Sequence, residues 1–382
     1  MGSAVSERDP VATLTMRLRA QADWCSARPS PFYGALLYRM AADAEARGPT
    51  WDRLAVTVDD PPGYLAHLGL LAGVHHLVLG GEAPELAAHY PSTGGDGDAD
   101  AAWPALRDVI ATRGDALDPW LRKRPQTNEV GRAVPLISGL LEVCAETRRP
   151  VRLLEIGASA GLNLRLDHFW YQAGTRGAGD PSSPVRFLDL WEGGTPPFEA
   201  PLLVRDRAGC DRAPIDVATE AGRQALLAYV WADQTDRLER LRAAFEVAAR
   251  VPVTVDGAEA LDWLPARLAD PPADTTTVLF HSIVLQYFSE DDAARLRELL
   301  DTAGAAATPA SPVAWLRLEP RRLVDADSEL RLTTWPGGRD RHLARTSPHL
   351  GPVVYGGEDP DQAPSDSSSA PTRPLARDDA AS

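Results

Sequence analysis

Glu155, Gly157, Ser159 and Gly161 are the residues of this chain whose types and spacing best suit ligand chemistry. They follow the apolar run Val151-Arg-Leu-Leu154 and precede Leu162-Asn-Leu164. The pattern reads as a buried strand, a tight small-residue turn and a helix start. Such a turn brings backbone close to a ligand, and a helix start offers unpaired N–H groups. At the carboxyl end of a parallel strand it lies where open α/β sheets bind ligands. A dinucleotide fingerprint fits poorly, because Ser159 and Leu162 replace its second and third glycines. A nucleophile elbow fits literally, with Ser159 as nucleophile, Asp256 and His281 following in order, and His342 or His349 as later options. Weighing against it, no glycine-rich oxyanion segment precedes the turn. An ordinary strand-to-helix turn is the plainest alternative.

A second concentration of polar residues precedes that strand: Gln126, Thr127, Asn128, Glu129 and Arg132. Thr127 suits a helix N-cap and Glu129 a first helical turn. Gln126, Asn128 and Arg132 are left over by that reading, and the segment is placed to fold across the turn.

The elements that must position these groups fall into two textures. Up to residue 150 the apolar spacing is helical, with helices expected over 11–24, 32–46, 63–79 and 128–147. The Gly-Asp-Gly-Asp-Ala-Asp stretch at 95–100 loosely resembles a calcium loop but lacks the distal glutamate, and reads as surface loop. From residue 151 strands and helices alternate. Strands are expected at 152–156, within 202–211, and at 251–255, 275–282 and 313–318. Helices are expected at 220–249, 258–268 and 291–302. A hairpin insertion joins 170–172 to 185–191, and a final antiparallel hairpin joins 330–335 to 351–355. The tail from residue 357 lacks apolar anchors and reads as disordered. The domain reading is helical domain or lid 1–126, α/β domain 127–356 and tail 357–382.

Composition narrows the partners. The chain has 382 residues and a net charge of −15, which disfavours a broad nucleic-acid or anionic-membrane surface and leaves a small molecule as the expected partner. Lys123 is the only lysine. Cys25, Cys144 and Cys210 lie far apart, so neither a disulfide framework nor a metal site is expected. With no membrane-length apolar run and no signal-peptide core, a cytoplasmic location is expected.

The turn resembles the first motif of class I S-adenosylmethionine-dependent methyltransferases: an apolar strand, an acid, then G-x-G-x-G with a small residue tolerated in the middle. Five strands alternating with helices, then a hairpin, is the chain order of that fold. The implied fold class is α/β, a Rossmann-like, mostly parallel sheet with a C-terminal antiparallel hairpin, preceded by an α-helical N-terminal domain. The resemblance implies S-adenosylmethionine as cofactor, held by Glu155, Gly157, Ser159 and Gly161. A second-strand acid would bind the ribose, with Asp211 preferred over Asp189, and Asp256 would lie at the adenine edge. His281, after the fourth strand, is placed as a general base or acceptor-orienting group. Asn128 and Glu129 are grouped with it as catalytic candidates, and Gln126, Arg132 and Tyr287 as substrate-binding candidates. The reading is a methyltransferase acting on a small molecule; the alternatives are a serine hydrolase using Ser159 and a non-catalytic ligand-binding member of the fold.

Residues 126–132, the Glu155–Leu164 turn, Tyr229-Val-Trp-Ala-Asp-Gln234, the stretch 281–287 and Trp335-Pro-Gly-Gly338 together resemble an uncharacterised bacterial family, mainly actinobacterial, catalogued as a domain of unknown function. The resemblance covers roughly residues 12–356 and implies no established activity.

Overall fold

The computed structural model describes residues 9–27, 30–60, 65–321, 327–349 and 351–356. The expected disordered tail, and the first two residues of the helix expected from residue 63, lie outside the described residues.

The first part of the chain is helical: α1 (Pro10–Ser26), α2 (Pro31–Glu45), α3 (Pro49–Leu54), α4 (Ala66–Leu79), α5 (Pro84–Ala87), α6 (Ala99–Thr112) and α7 (Gly114–Leu121). Prolines open α1, α2, α3 and α5, where a missing N–H costs nothing. These helices bury their own apolar cluster, with Leu18, Leu36, Leu70 and Leu106 among its members. The aspartate-rich loop before α6 does local work: Asp98 caps the helix by accepting from Asp100 N–H and Ala101 N–H.

α8 (Ala133–Thr147) leads into β1 (Val151–Ile156), which is buried throughout. An insertion follows, with β2 (Trp170–Ala173), β3 (Arg176–Gly179), β4 (Arg186–Leu188) and β5 (Trp191–Glu192). β2 pairs antiparallel with β3 and parallel with β4, forming a small separate sheet. Then come β6 (Val204–Asp211), α9 (Glu220–Ala228), α10 (Thr235–Arg250), β7 (Thr254–Gly257), α11 (Ala260–Leu268), β8 (Thr276–Ser282), α12 (Glu290–Ala306), β9 (Val313–Pro320), β10 (Ser328–Trp335), β11 (Arg339–Thr346) and β12 (Val353–Tyr355).

The main sheet has nine strands in the order β5-β12-β11-β10-β9-β8-β1-β6-β7. From β7 to β9 every neighbouring pair is parallel. Strand order therefore reverses between β1 and β8, a switch point of the kind that binds ligands at the carboxyl ends of strands. Both faces are covered. Leu153, Val278 and Leu316 pack with α8, while Leu154, Leu279 and Trp315 pack with α11 and α12. A parallel sheet covered on both sides gives continuous apolar strands, which is why β1 and β8 stand out in the sequence.

Five expectations change. Residues 170–172 and 185–191 form no hairpin: β2 and β4 pair parallel, and β3 is the antiparallel partner of β2. The final hairpin is β10 with β11, and β12 pairs with β11, not β10. β11 is disguised by Arg339, Asp340, Arg341 and Arg345, whose charges are paired or exposed on the sheet. The long helix expected over 220–249 breaks at residues 229–234, where Asp233 accepts from Ser30 Oγ and Phe32 N–H at the start of α2. β7 begins three residues later than expected, so Asp256 belongs to the strand and not to the loop after it. No α-helix follows the glycine turn; residues Asn163–His168 form a 3-10 helix. There Arg165 donates to the turn carbonyls of Ala160 and Gly161 and to Val251 O at the end of α10, tying the turn to that helix.

Candidate functional site

The turn after β1 has left-handed backbone at Gly157 (φ +67°), Ser159 (φ +53°) and Gly161 (φ +66°). Its N–H groups are not open to a ligand, contrary to the sequence reading. Ala158 N–H bonds Cys210 O, and Gly161 N–H bonds Ala158 O. Ser159 N–H bonds Asp211 Oδ2 at 2.9 Å. Ala160 and Leu162 N–H both bond Asn128 Oδ1, at 3.2 and 2.9 Å. Gly157 is packed rather than open: a Cβ there would lie 2.3 Å from Val284 Cγ2.

The segment 126–132 crosses this turn. Gln126 Nε2 reaches Ala213 O at 3.1 Å and Asp211 Oδ1 at 3.4 Å. Glu129, not Thr127, caps the helical turn that follows, accepting from Gly131 N–H at 2.9 Å; α8 itself starts at Ala133. Glu129 is buried and ion-paired with Arg237, and His349 lies 3.7 Å away. Burial opposes its ionisation, but Arg237 and His349 outweigh burial and hold the carboxyl well below its ordinary value. The cavity beside this pair measures about 10 Å³, room for one water and no substrate.

Arg132 reaches the switch point itself. It donates to Ser282 O at 3.2 Å, at the end of β8, and to Pro348 O at 3.1 Å. Burial lowers its pKa, opposed by the charges of Glu129 and Glu319. Glu155, on β1, is buried, and its Oε2 has no hydrogen-bond partner among the described residues. Burial, reinforced by Asp211, pushes its carboxyl well above the ordinary value, with Arg132 and Arg165 opposing.

Of the two second-strand acids, the fold brings Asp211 to the turn. Asp189 instead accepts from Gly174 N–H in the insertion. The insertion also accounts for the long sequence separation between Gly161 and Asp211. Asp256, on β7 opposite Cys210 of β6, accepts from Trp263 Nε1 at 2.6 Å and Arg267 Nη2 at 2.9 Å, both on Oδ2. Tyr287 is exposed on the loop after β8. In that loop Ile283 has φ +55°, a strained conformation for a β-branched residue.

His281 is buried, with Nδ1 on Glu319 Oε1 at 2.6 Å and Nε2 on Trp315 Nε1 at 3.0 Å. Both ring nitrogens are therefore engaged inside the protein. Ser159 Oγ has no hydrogen-bond partner, so a Ser–His–Asp relay is not assembled among the described residues. Sequence reasoning missed Glu319, Trp315 and Arg237. The Trp-x-x-x-Glu spacing at 315–319 places both side chains on one face of a strand and was the available signal for that pair.

The fold and these groups define a mixed α/β protein with a large, mostly parallel nine-stranded sheet and a cluster of polar side chains about its switch point. Within that class the chain belongs to the DUF2332 family, described as "Uncharacterized protein conserved in bacteria", whose pattern matches residues 15–354. No curated protein and no solved structure matches the chain. No helix among the described residues is long and apolar enough to cross a membrane.

Proposed function

We propose that the protein is an S-adenosylmethionine-dependent methyltransferase acting on a small molecule. One observation carries the reading: Glu155, Asp211 and Asp256 stand toward the carboxyl ends of three adjacent parallel strands, around a turn of left-handed residues at the switch point. The residues fit the cofactor. Its ammonium, ribose hydroxyls and adenine amine are all donors, and these strand ends present acceptors. Glu155 Oε2 is a buried carboxyl oxygen without a partner. Asp256 uses only Oδ2 for Trp263 and Arg267, which leaves Oδ1 for a ribose hydroxyl. Asp211 is largely spent on Ser159 and Ala213 N–H, so its part is to hold the turn. Asn128 occupies the turn's N–H groups, and Arg132 is the cation left for the cofactor's carboxylate.

When bound, the cofactor supplies an electrophilic methyl group. The chain's own contribution is alignment, which carries much of the rate in such a transfer. Tyr287, exposed on the loop after β8, is the candidate contact for the acceptor. Calorimetric titration with S-adenosylmethionine and S-adenosylhomocysteine tests the reading. Micromolar binding is expected, weakened about tenfold or more in Asp256→Asn. Folded wild-type protein that binds neither compound overturns it. Gly157→Asp is a poor control, because Val284 blocks any side chain there.

A further inference from the structure

Trp315, His281 and Glu319 form a chain of hydrogen bonds that ends on a bare carboxyl oxygen. An indole N–H can only donate. Trp315 Nε1 lies 3.0 Å from His281 Nε2, so Nε2 is the acceptor nitrogen and the ring proton sits on Nδ1. Nδ1–H then donates to Glu319 Oε1 at 2.6 Å. The same oxygen accepts from Val284 N–H at 2.9 Å and Leu285 N–H at 3.4 Å. Three donors on one oxygen fix how the carboxylate is turned. Oε2 is buried, with no hydrogen-bond partner among the described residues. Arg132 senses the Glu319 charge, yet no arginine among the described residues forms an ion pair with it.

A buried carboxylate calls for a paired cation. A metal ion would need more ligands, and no group of three or more His, Cys, Asp or Glu side chains suited to one occurs among the described residues. A protonated amine supplies both the charge and the N–H donors. We propose that Glu319 Oε2 is the recognition point for the protonated amine of a small-molecule ligand, with His281 and Trp315 as positioning residues.

This point is distinct from Glu155, the buried acid on β1 assigned to the cofactor. Trp315 packs on the α11 and α12 face of the sheet, whereas Leu153, in step with Glu155, packs on the α8 face. Val284 lies between the two: its side chain covers Gly157 and its N–H holds Glu319. The proposal does not depend on methyl transfer, and its test uses no cofactor.

The test is NMR of protein carrying ¹⁵N-histidine, with n-propylammonium, n-propanol and propionate as probes of equal size. The His281 signals are assigned by their loss in His281→Gln. Propylammonium is expected to shift the His281 Nδ1–H resonance saturably, and the two other probes to leave it in place. Glu319→Gln keeps an acceptor oxygen for the three donors and should weaken propylammonium binding about tenfold or more. Trp315→Phe removes the donor that sets the tautomer and should move the His281 signals before any probe is added. The amine site is overturned if propanol or propionate acts equally, if Glu319→Gln binds propylammonium as wild type does, or if wild type shows no shift. Unmoved His281 signals in Trp315→Phe overturn the positioning role.

Discussion

Arg317 and Glu319 stand two residues apart on β9 and leave the same face, yet the protein treats their polar atoms in opposite ways. Arg317 donates to Thr333 Oγ1 at 3.0 Å and to Asp340 Oδ1 at 2.6 Å, and lies over the Trp315 ring, 4.3 Å from its centroid. Thr333 Oγ1 in turn donates to Asp340 Oδ1, and Arg331 donates two N–H groups to the other Asp340 oxygen. That network closes on itself across β9, β10 and β11. Glu319 has one oxygen held by three donors and the other by none. A closed polar network rigidifies a sheet, whereas an open buried atom needs a further explanation. The difference separates residues that build the sheet from residues that serve the switch point.

The sharpest way to break this contrast is to open the closed network. Asp340→Ala strands Arg317, whose side chain is 10 % exposed, without its counter-charge. The expected loss is about 3 kcal/mol, at the low end for a broken buried pair because Asp340 is itself 38 % exposed. Glu319→Gln should cost less than about 1 kcal/mol, because a near-isosteric amide keeps an acceptor for the three donors. Urea unfolding of both variants decides; equal losses would erase the distinction. The network also has a pH signature. Burial opposes ionisation of Asp340, and Arg317 more than offsets it, so its folded pKa is lowered. Its contribution is therefore present above the unfolded value, near pH 4, and is lost as pH falls through the lower folded value. Asp340→Ala should flatten that part of the acid unfolding curve.

The next largest effect concerns Val284, the wedge between the glycine turn and Glu319. Gly157→Ala forces a Cβ to within 2.3 Å of Val284 Cγ2 at a backbone φ of +67°. Strain and overpacking together should cost about 2 kcal/mol. Adding Val284→Ala should recover the packing part and leave the backbone part. Full recovery in the double variant would show that Gly157 serves only to admit Val284.

These residues also show how far the sequence could be read. β1 and β8 were legible because burial on both faces leaves an unbroken apolar run, and the glycine turn because left-handed backbone favours glycine. Segment 126–132 was legible as a feature that crosses the turn. That Asn128 would occupy the turn's N–H groups was not, because an amide that closes a loop and one that binds a ligand have the same letter and the same spacing. β11 was hidden by charges whose partners come from β9, β10 and α8, contacts that no local pattern carries. Glu319 was hidden for a related reason. What marks it is the bare oxygen, and that depends on donors supplied by β8 and the loop after it.

The smallest expected effect belongs to Glu155, the other carboxyl near the switch point with a bare oxygen. Burial, with Asp211 adding to it, raises its pKa well above the ordinary value. Below the ordinary value Glu155→Gln replaces one neutral group by another of the same shape, and its stability there should stay within about 1 kcal/mol of wild type. A raised folded pKa gives stability that is whole below the unfolded value, about 4.3, and is lost as pH rises through the folded value. Wild type should therefore lose stability relative to Glu155→Gln, which has no proton to release, as pH rises above the unfolded value of about 4.3. Chemical unfolding of both proteins at each pH measures the gap. Parallel curves would mean that Glu155 is ionised and paired in solution, and would place it with the closed network of Arg317 and Asp340. A gap that opens with pH and closes again when S-adenosylhomocysteine is added would place it at the switch point, with the ligand's ammonium supplying the partner its Oε2 lacks.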